Sequence, residues 1–122
     1  REWGFSLWLT LMLTGNMQGV DVGVGASCIF PLLGVGMHPG WRFIASDINP
    51  AALKSAEENV QRNGWGKKID LRQISADAKP LADLLKESDG PIDFTMCNPP
   101  FFANESEAGG AGHYRAFTGN LQ

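Results

Sequence analysis

The sequence predicts an α/β fold built on a parallel sheet with helices on both faces. Three observations carry that prediction. Strand-like and helix-like segments alternate along the chain, the pattern of parallel strands joined by crossover helices. The run Val20-Asp21-Val22-Gly23-Val24-Gly25-Ala26-Ser27 reads as a short strand entering a glycine turn and then a helix. Downstream, the apolar run Ile92-Asp93-Phe94-Thr95-Met96-Cys97 reads as a buried strand that delivers Asn98-Pro99-Pro100-Phe101 at its end.

Each element follows from local pattern. Residues 3–13 form an apolar stretch with Trp8, Leu11 and Met12 on one side of a helix, ended by Gly15-Asn16. Residues 18–22 make the first strand, and residues 27–34 the helix after it, with Pro31 in its first turn. Met37-His38-Pro39-Gly40 is a loop, and residues 42–46 form the second strand, ending at Asp47. Residues 50–63 are the clearest helix: Leu53, Ala56 and Val60 mark a buried stripe, Asn49-Pro50 starts it and Asn63-Gly64 stops it. Ile69, Leu71 and Gln73 alternate as an imperfect third strand. Residues 81–88 are expected as a short helix, and Asp89-Gly90-Pro91 as the turn before the fourth strand.

In sheets of this kind, ligands bind beyond the carboxyl ends of the strands. Three anchors lie there. Gly23 and Gly25 permit positive φ and close approach of backbone to a ligand. Asp47 lies about 20 residues past the glycine loop, where an acid accepts hydrogen bonds from ribose hydroxyls; it is alternatively a cap for the next helix, although Asn49 is the better cap. Asn98 offers a side-chain carbonyl and Pro99 a free backbone carbonyl, while the prolines stiffen the turn. Two acceptors aimed at one point suit a planar amine, and Phe101 supplies a face for an aromatic ring. Asp77 or the backbone around Ala78, after the third strand, is the candidate contact for a bound adenine. The loop also approaches a dinucleotide fingerprint, but Cys28 stands where the third glycine belongs.

Composition bounds the alternatives. The chain has 122 residues, 43% hydrophobic and 19% charged, which suits one globular unit. A net charge of −3 leaves no electrostatic footprint for nucleic acid, so any basic grip must be local or lie outside the chain. Arg62, Lys67, Lys68 and Arg72 read as a solvated face. Cys28 and Cys97 lack metal-like spacing and read as reduced core thiols of an intracellular protein, and the isolated His38 and His113 argue against a metal site. No apolar stretch is long enough to cross a membrane, and residues 5–13 do not read as a signal peptide.

The Asp-x-Gly-x-Gly form resembles the first motif of S-adenosylmethionine-dependent methyltransferases. The match becomes narrower with Gly23-Val24-Gly25-Ala26-Ser27-Cys28-Ile29-Phe30-Pro31-Leu32 and Cys97-Asn98-Pro99-Pro100-Phe101-Phe102. Together these are similar to the family of ribosomal RNA large-subunit methyltransferase F and its eukaryotic relative, methyltransferase-like protein sixteen. The resemblance spans residues 19–104. It implies a Rossmann-like class I methyltransferase sheet, with S-adenosylmethionine as cofactor and methylation of an adenine exocyclic amine in structured RNA, nuclear or cytoplasmic in setting. It assigns cofactor contacts to Gly23, Ser27, Asp47 and Asn98, and catalysis to Asn98, Pro99, Pro100 and Phe101, with Phe102 lining the same pocket. Asp21 and Gly25 belong to the same cofactor motif. Asp47 stands where animal relatives carry Glu. The family's basic stretch after residue 104 is reduced here to Arg115, so the RNA is expected to be gripped by regions outside this chain. A core over 18–104, a substrate loop or tail over 105–122, and a sheet incomplete at its C-terminal end are further expectations. Glutamine amides in proteins, guanine amines, and cofactor or RNA binding without turnover remain the alternative functions.

Overall fold

The computed structural model describes residues 15–98. The helix expected over 3–13, the residues Pro99, Pro100, Phe101 and Phe102, and the tail over 105–122 lie outside the described residues.

Four strands, β1 (Gln18–Val22), β2 (Arg42–Asp47), β3 (Ile69–Gln73) and β4 (Phe94–Cys97), form one sheet in the order β3-β2-β1-β4. All three strand pairs are parallel. Two helices, α1 (Ile29–Met37) and α2 (Pro50–Arg62), make the crossovers from β1 to β2 and from β2 to β3.

The register sorts the strand residues by face. Asp21 pairs with Ala45, and Ala45 with Leu71, so these share one face; Val20 and Ile44 share the other. Both helices cover the first face, packing Val35, Ala56 and Val60 onto Phe43, Ala45 and Ile69. Phe43, Val35 and Val60 are at most 2% exposed, each side chain contributing about 1.5–3 kcal/mol through burial. Gly34 lets α1 approach closely, since a Cβ there would lie 2.6 Å from the Phe43 ring. Phe94 reaches the same cluster, with its ring centroid 5.2 Å from Trp41 and edge-on to Phe43 at 5.7 Å.

α2 has the ends its sequence predicts. Asn49 Oδ1 accepts from the backbone N–H of Ala51 (2.9 Å) and Ala52 (3.4 Å), with Pro50 in the first turn. At the other end, Gly64 N–H donates to Gln61 O and Trp65 N–H to Val60 O, with Gly64 at φ 72°, a Schellman closure.

Four expectations are corrected. α1 begins at Ile29 rather than residue 27, because Cys28 adopts a left-handed backbone (φ 53°, ψ 37°). Residues 81–88 do not form an α-helix: isolated turns, such as Leu85 N–H to Leu81 O, lead to a single 3-10 turn at Glu87–Asp89. This segment places Leu84, with Leu85 and Ile92, against Val20 and Ile44 on the second face. β4 is half-buried rather than buried; Phe94 and Met96 turn inward, while Thr95 and the exposed Cys97 turn outward. Arg72 is not part of a solvated face. It is only 14% exposed, donates a fork of two hydrogen bonds to Asp89 (2.6 and 2.8 Å), and also reaches Asp70 and the Leu84 carbonyl. Among the described residues, no helix is long and apolar enough to cross a membrane, and no three metal-ligating side chains cluster.

Candidate active site

Strand order places the site. The chain moves from β1 outward to β2 and β3, then returns to β4 on the other side of β1. The order therefore reverses between β1 and β4, and that switch point is where open α/β sheets hold ligands. Val22 pairs with Cys97, so Gly23 and Asn98 leave the sheet side by side. Asn98 is exposed there.

The glycine loop is held by β2. The N–H groups of Gly23 and Val24 both donate to Ser46 O at 2.8 Å. Gly23 and Gly25 take φ of 77° and 71°, a region that strains side-chain-bearing residues. Asp47 completes the hold: Oδ2 accepts from Gly25 N–H and Oδ1 from Asn49 N–H, each at 2.9 Å. One carboxylate thus fixes the loop and starts the turn into α2. Each of its oxygens retains acceptor capacity, because a carboxylate offers about four lone-pair sites. Ser27 is exposed on the same loop.

Asp21 lies beneath this loop at 1% exposure, and its Oδ2 has no hydrogen-bond partner. Burial, reinforced by the Asp47 charge, raises its pKa to about 6. The buried Ser46 hydroxyl is also unpartnered. Unsatisfied polar atoms beneath a ligand-type loop are costly in isolation, and a polar ligand group or bound water at the loop would offset that cost. Cys28 is fully buried; burial and the nearby Asp21 and Glu57 push its thiol up to about 12, so it stays neutral.

Beyond β3, residues Gln73, Ile74, Ser75, Asp77, Ala78 and Asp83 line a concavity of about 390 Å³. Ser75 Oγ donates to Asp77 Oδ1, which holds the Asp77 carboxyl below its usual range. Ala78 N–H donates to Ser75 O at 3.1 Å, closing the turn beside this concavity. The structure thus brings Gly23, Gly25, Ser27, Asp47, Asp77, Ala78 and Asn98 to one edge of the sheet, with Asp21 beneath it. Sequence reasoning missed Asn59, whose side-chain Nδ2 donates to Ala26 O (3.3 Å) and Ser27 O (3.4 Å). The available signal was a polar residue three positions after Ala56 and next to Val60, on the inward side of a helix.

The chain and its fold have counterparts among known proteins. A family model described as RNA methyltransferase matches residues 10–121. A ribosomal RNA large subunit methyltransferase F of Pseudomonas putida is 51% identical over 93 residues, which are 76% of this chain and 29% of that relative. The RNA N(6)-adenosine-methyltransferase mettl16 of Danio rerio is 45% identical over 97 residues, 79% of this chain and 20% of that relative. The matched stretch is therefore less than a third of the length of either relative. The N-terminal domain of human METTL16 in complex with SAH superposes with a TM-score of 0.66 at 33% identity, over 81% of this chain and 40% of that one. The human METTL16 catalytic domain in complex with the MAT2A 3′UTR hairpin 1 gives a TM-score of 0.67 at 36% identity, over 89% of this chain and 37% of that one. With a matching family model along nearly its whole length and relatives in both bacteria and vertebrates, the chain belongs to the RNA methyltransferase family.

Proposed function

We propose that this chain is the core of an S-adenosylmethionine-dependent methyltransferase that modifies the exocyclic amine of adenine in structured RNA. The observation that carries the proposal is the pairing of Val22 with Cys97, which sets Asn98 beside the glycine loop at the switch point of the sheet. Cofactor and acceptor functions then meet at one edge.

The cofactor supplies a methyl group already activated on a sulfonium. The residues of the chain bind and orient. The loop from Gly23 through Gly25 to Ser27 offers backbone and hydroxyl contacts, and the spare lone pairs of Asp47 take ribose hydroxyls. The concavity beside Asp77 and Ala78 takes the cofactor's adenine. Asp21, with its unpartnered oxygen, favours a positive group above it, directly or through water. At the acceptor, Asn98 Oδ1 and the Pro99 carbonyl hold the two hydrogens of the amine. This favours a pyramidal nitrogen whose lone pair faces the electrophile. Pro100 stiffens the turn. Phe101, with Phe102, stacks on the unstacked base and contributes about 1–3 kcal/mol. The barrier falls through positioning and preorganised acceptors, and the released proton passes to solvent.

The wider RNA is held by regions outside this chain, consistent with its net charge of −3. We assign the core to residues 18–104 and residues 105–122 to a substrate loop or tail. The reaction belongs inside the cell, nuclear or cytoplasmic, where the free Cys28 and Cys97 stay reduced.

The test is methyl transfer from labelled S-adenosylmethionine to total RNA by the full-length protein, with nucleosides identified by mass spectrometry. Asn98→Ala should lower formation of N6-methyladenosine by about 100-fold or more, the scale of losing a preorganised polar contact at the reacting group, while cofactor still binds. Label appearing in protein or in guanosine would overturn the adenine assignment. Undiminished turnover in the variant would overturn the role of Asn98.

A further inference from the structure

Ala26 O and Ser27 O lack the backbone partners that the carbonyls on either side of them have. Gly25 O accepts from Cys28 N–H at 3.4 Å and Cys28 O accepts from Leu32 N–H at 3.1 Å, so the carbonyls on either side have backbone partners. Ala26 and Ser27 precede α1 and lie outside its hydrogen-bond ladder. Left free, these two carbonyl dipoles could rotate toward the cofactor side of the loop. The residue that follows them is Cys28, the only non-glycine residue with positive φ among the described residues. A left-handed backbone is strained at a residue with a Cβ, and such strain persists only where the surroundings over-determine it.

Asn59 meets both requirements. It lies on α2, between the buried Ala56 and Val60, and its single Nδ2 group spans the two carbonyls at 3.3 and 3.4 Å. The fully buried Cys28 side chain anchors the next residue in the cluster that Ala56 and Val60 also join. The loop is therefore gripped twice: from the end of β2, Asp47 takes Gly25 N–H, and from α2, Asn59 takes two carbonyls.

We infer that Asn59 is a positioning residue for the cofactor: it turns the Ala26 and Ser27 carbonyls toward α2, keeping the Ser27 hydroxyl and the Ala26 and Ser27 N–H groups facing the ligand. This rests on the cofactor site proposed above. Asn59 itself touches neither cofactor nor base. Its loss should weaken cofactor binding while leaving RNA binding and the acceptor chemistry at saturating cofactor unchanged.

Asn63 provides the control. It caps the C-terminus of α2, one turn beyond Asn59, and its Nδ2 donates to Asn59 O at 2.8 Å, so it supports the helix end without reaching the loop. The experiment is calorimetric titration of the full-length protein with S-adenosylhomocysteine, for wild type, Asn59→Ala, Asn59→Asp and Asn63→Ala, with thermal melts of each. Asn59→Ala should raise the dissociation constant about 5- to 30-fold, the scale of one or two lost hydrogen bonds. Asn59→Asp should raise it further, because it sets an anion against two carbonyls. In steady state, both should raise KM for the cofactor while kcat and KM for RNA hold. Asn63→Ala should lower the melting temperature and leave the dissociation constant unchanged.

A folded Asn59→Ala protein within twofold of wild type would overturn the inference, as would an equal loss of affinity in Asn63→Ala. Should the Asn59 variants fail to fold, the wild-type protein still decides: its Asn59 side-chain amide hydrogens should exchange more slowly once ligand is bound, and an unchanged rate would overturn it. Absence of binding by wild type would instead sink the cofactor site itself, a distinct result.

Discussion

At the residue scale, the informative positions break a local rule. Asp21 is a carboxylate at 1% exposure with an unpartnered oxygen, and its pKa is raised to about 6. The folded state therefore holds this proton more tightly than the unfolded chain does. From this group, stability falls as pH rises from about 4 through 6, and the cost persists above that window. Asp21→Asn should stabilise the protein by about 1–3 kcal/mol at pH 8, with the gain fading below pH 4. Urea unfolding at both pH values checks it, and an equal gain at both would refute the burial argument. The same substitution should weaken cofactor binding, a trade of stability against function. Such positions are also where the sequence was hardest to interpret. The positions of the glycine loop, Asp47 and Asn98 at the strand ends were legible because residue type and spacing suffice. Asn59 was not, because its role depends on a loop over thirty residues away that only the packing of α2 brings near. The left-handed Cys28 was hidden for a similar reason: burial of its side chain, not any local propensity, holds that backbone.

At the element scale, β1 and α2 were legible to within a residue, because hydrophobic period and end signals agree: Asn49 and Pro50 open α2, and Gly64 closes it. The segment over 81–88 was misread as a helix because Leu81, Leu84 and Leu85 have helical spacing. Other demands prevail there. Asp83 Oδ2 accepts from Lys79 N–H, and the Leu84 carbonyl accepts from Arg72. Arg72 and Asp89 then lock this segment onto β3 through their two-pronged pair, and Gln18 Nε2 reaches the Asp89 carbonyl from β1. The Arg72 guanidinium, joined by the Lys86 N–H, holds the Asp89 carboxyl well below its usual range. A carboxyl depressed in this way contributes stability above its unfolded pKa of about 4, and loses it as pH falls further toward the folded value. Asp89→Asn should therefore lower the melting temperature at pH 7, and the gap to wild type should close in strong acid. A gap of constant size across pH would mean that the pair is not the source.

At the scale of the whole molecule, the order β3-β2-β1-β4 makes one strand edge serve two tasks, with the glycine loop and Asp47 on one side of the switch point and Asn98 on the other. The pieces differ greatly in sequence distance. Asp47 is 22 residues from Gly25, which it holds, whereas Asp93, at the entry to β4, is 75 residues from Gln18, to which its carboxylate is bonded. Long-range parallel pairings are the slow ones to form, since loop closure must precede their reward. During refolding, amides of β1, β2 and α2 should gain protection from exchange before those of β4 in a pulse-labelling experiment, and simultaneous protection would argue against this order. The sequence distances thus set a chronology. On a ribosome, Gly23, Gly25 and Asp47 are made well before Asn98, so the nascent chain passes through a stage with its glycine loop pinned to β2 and the strand that carries Asn98 still absent.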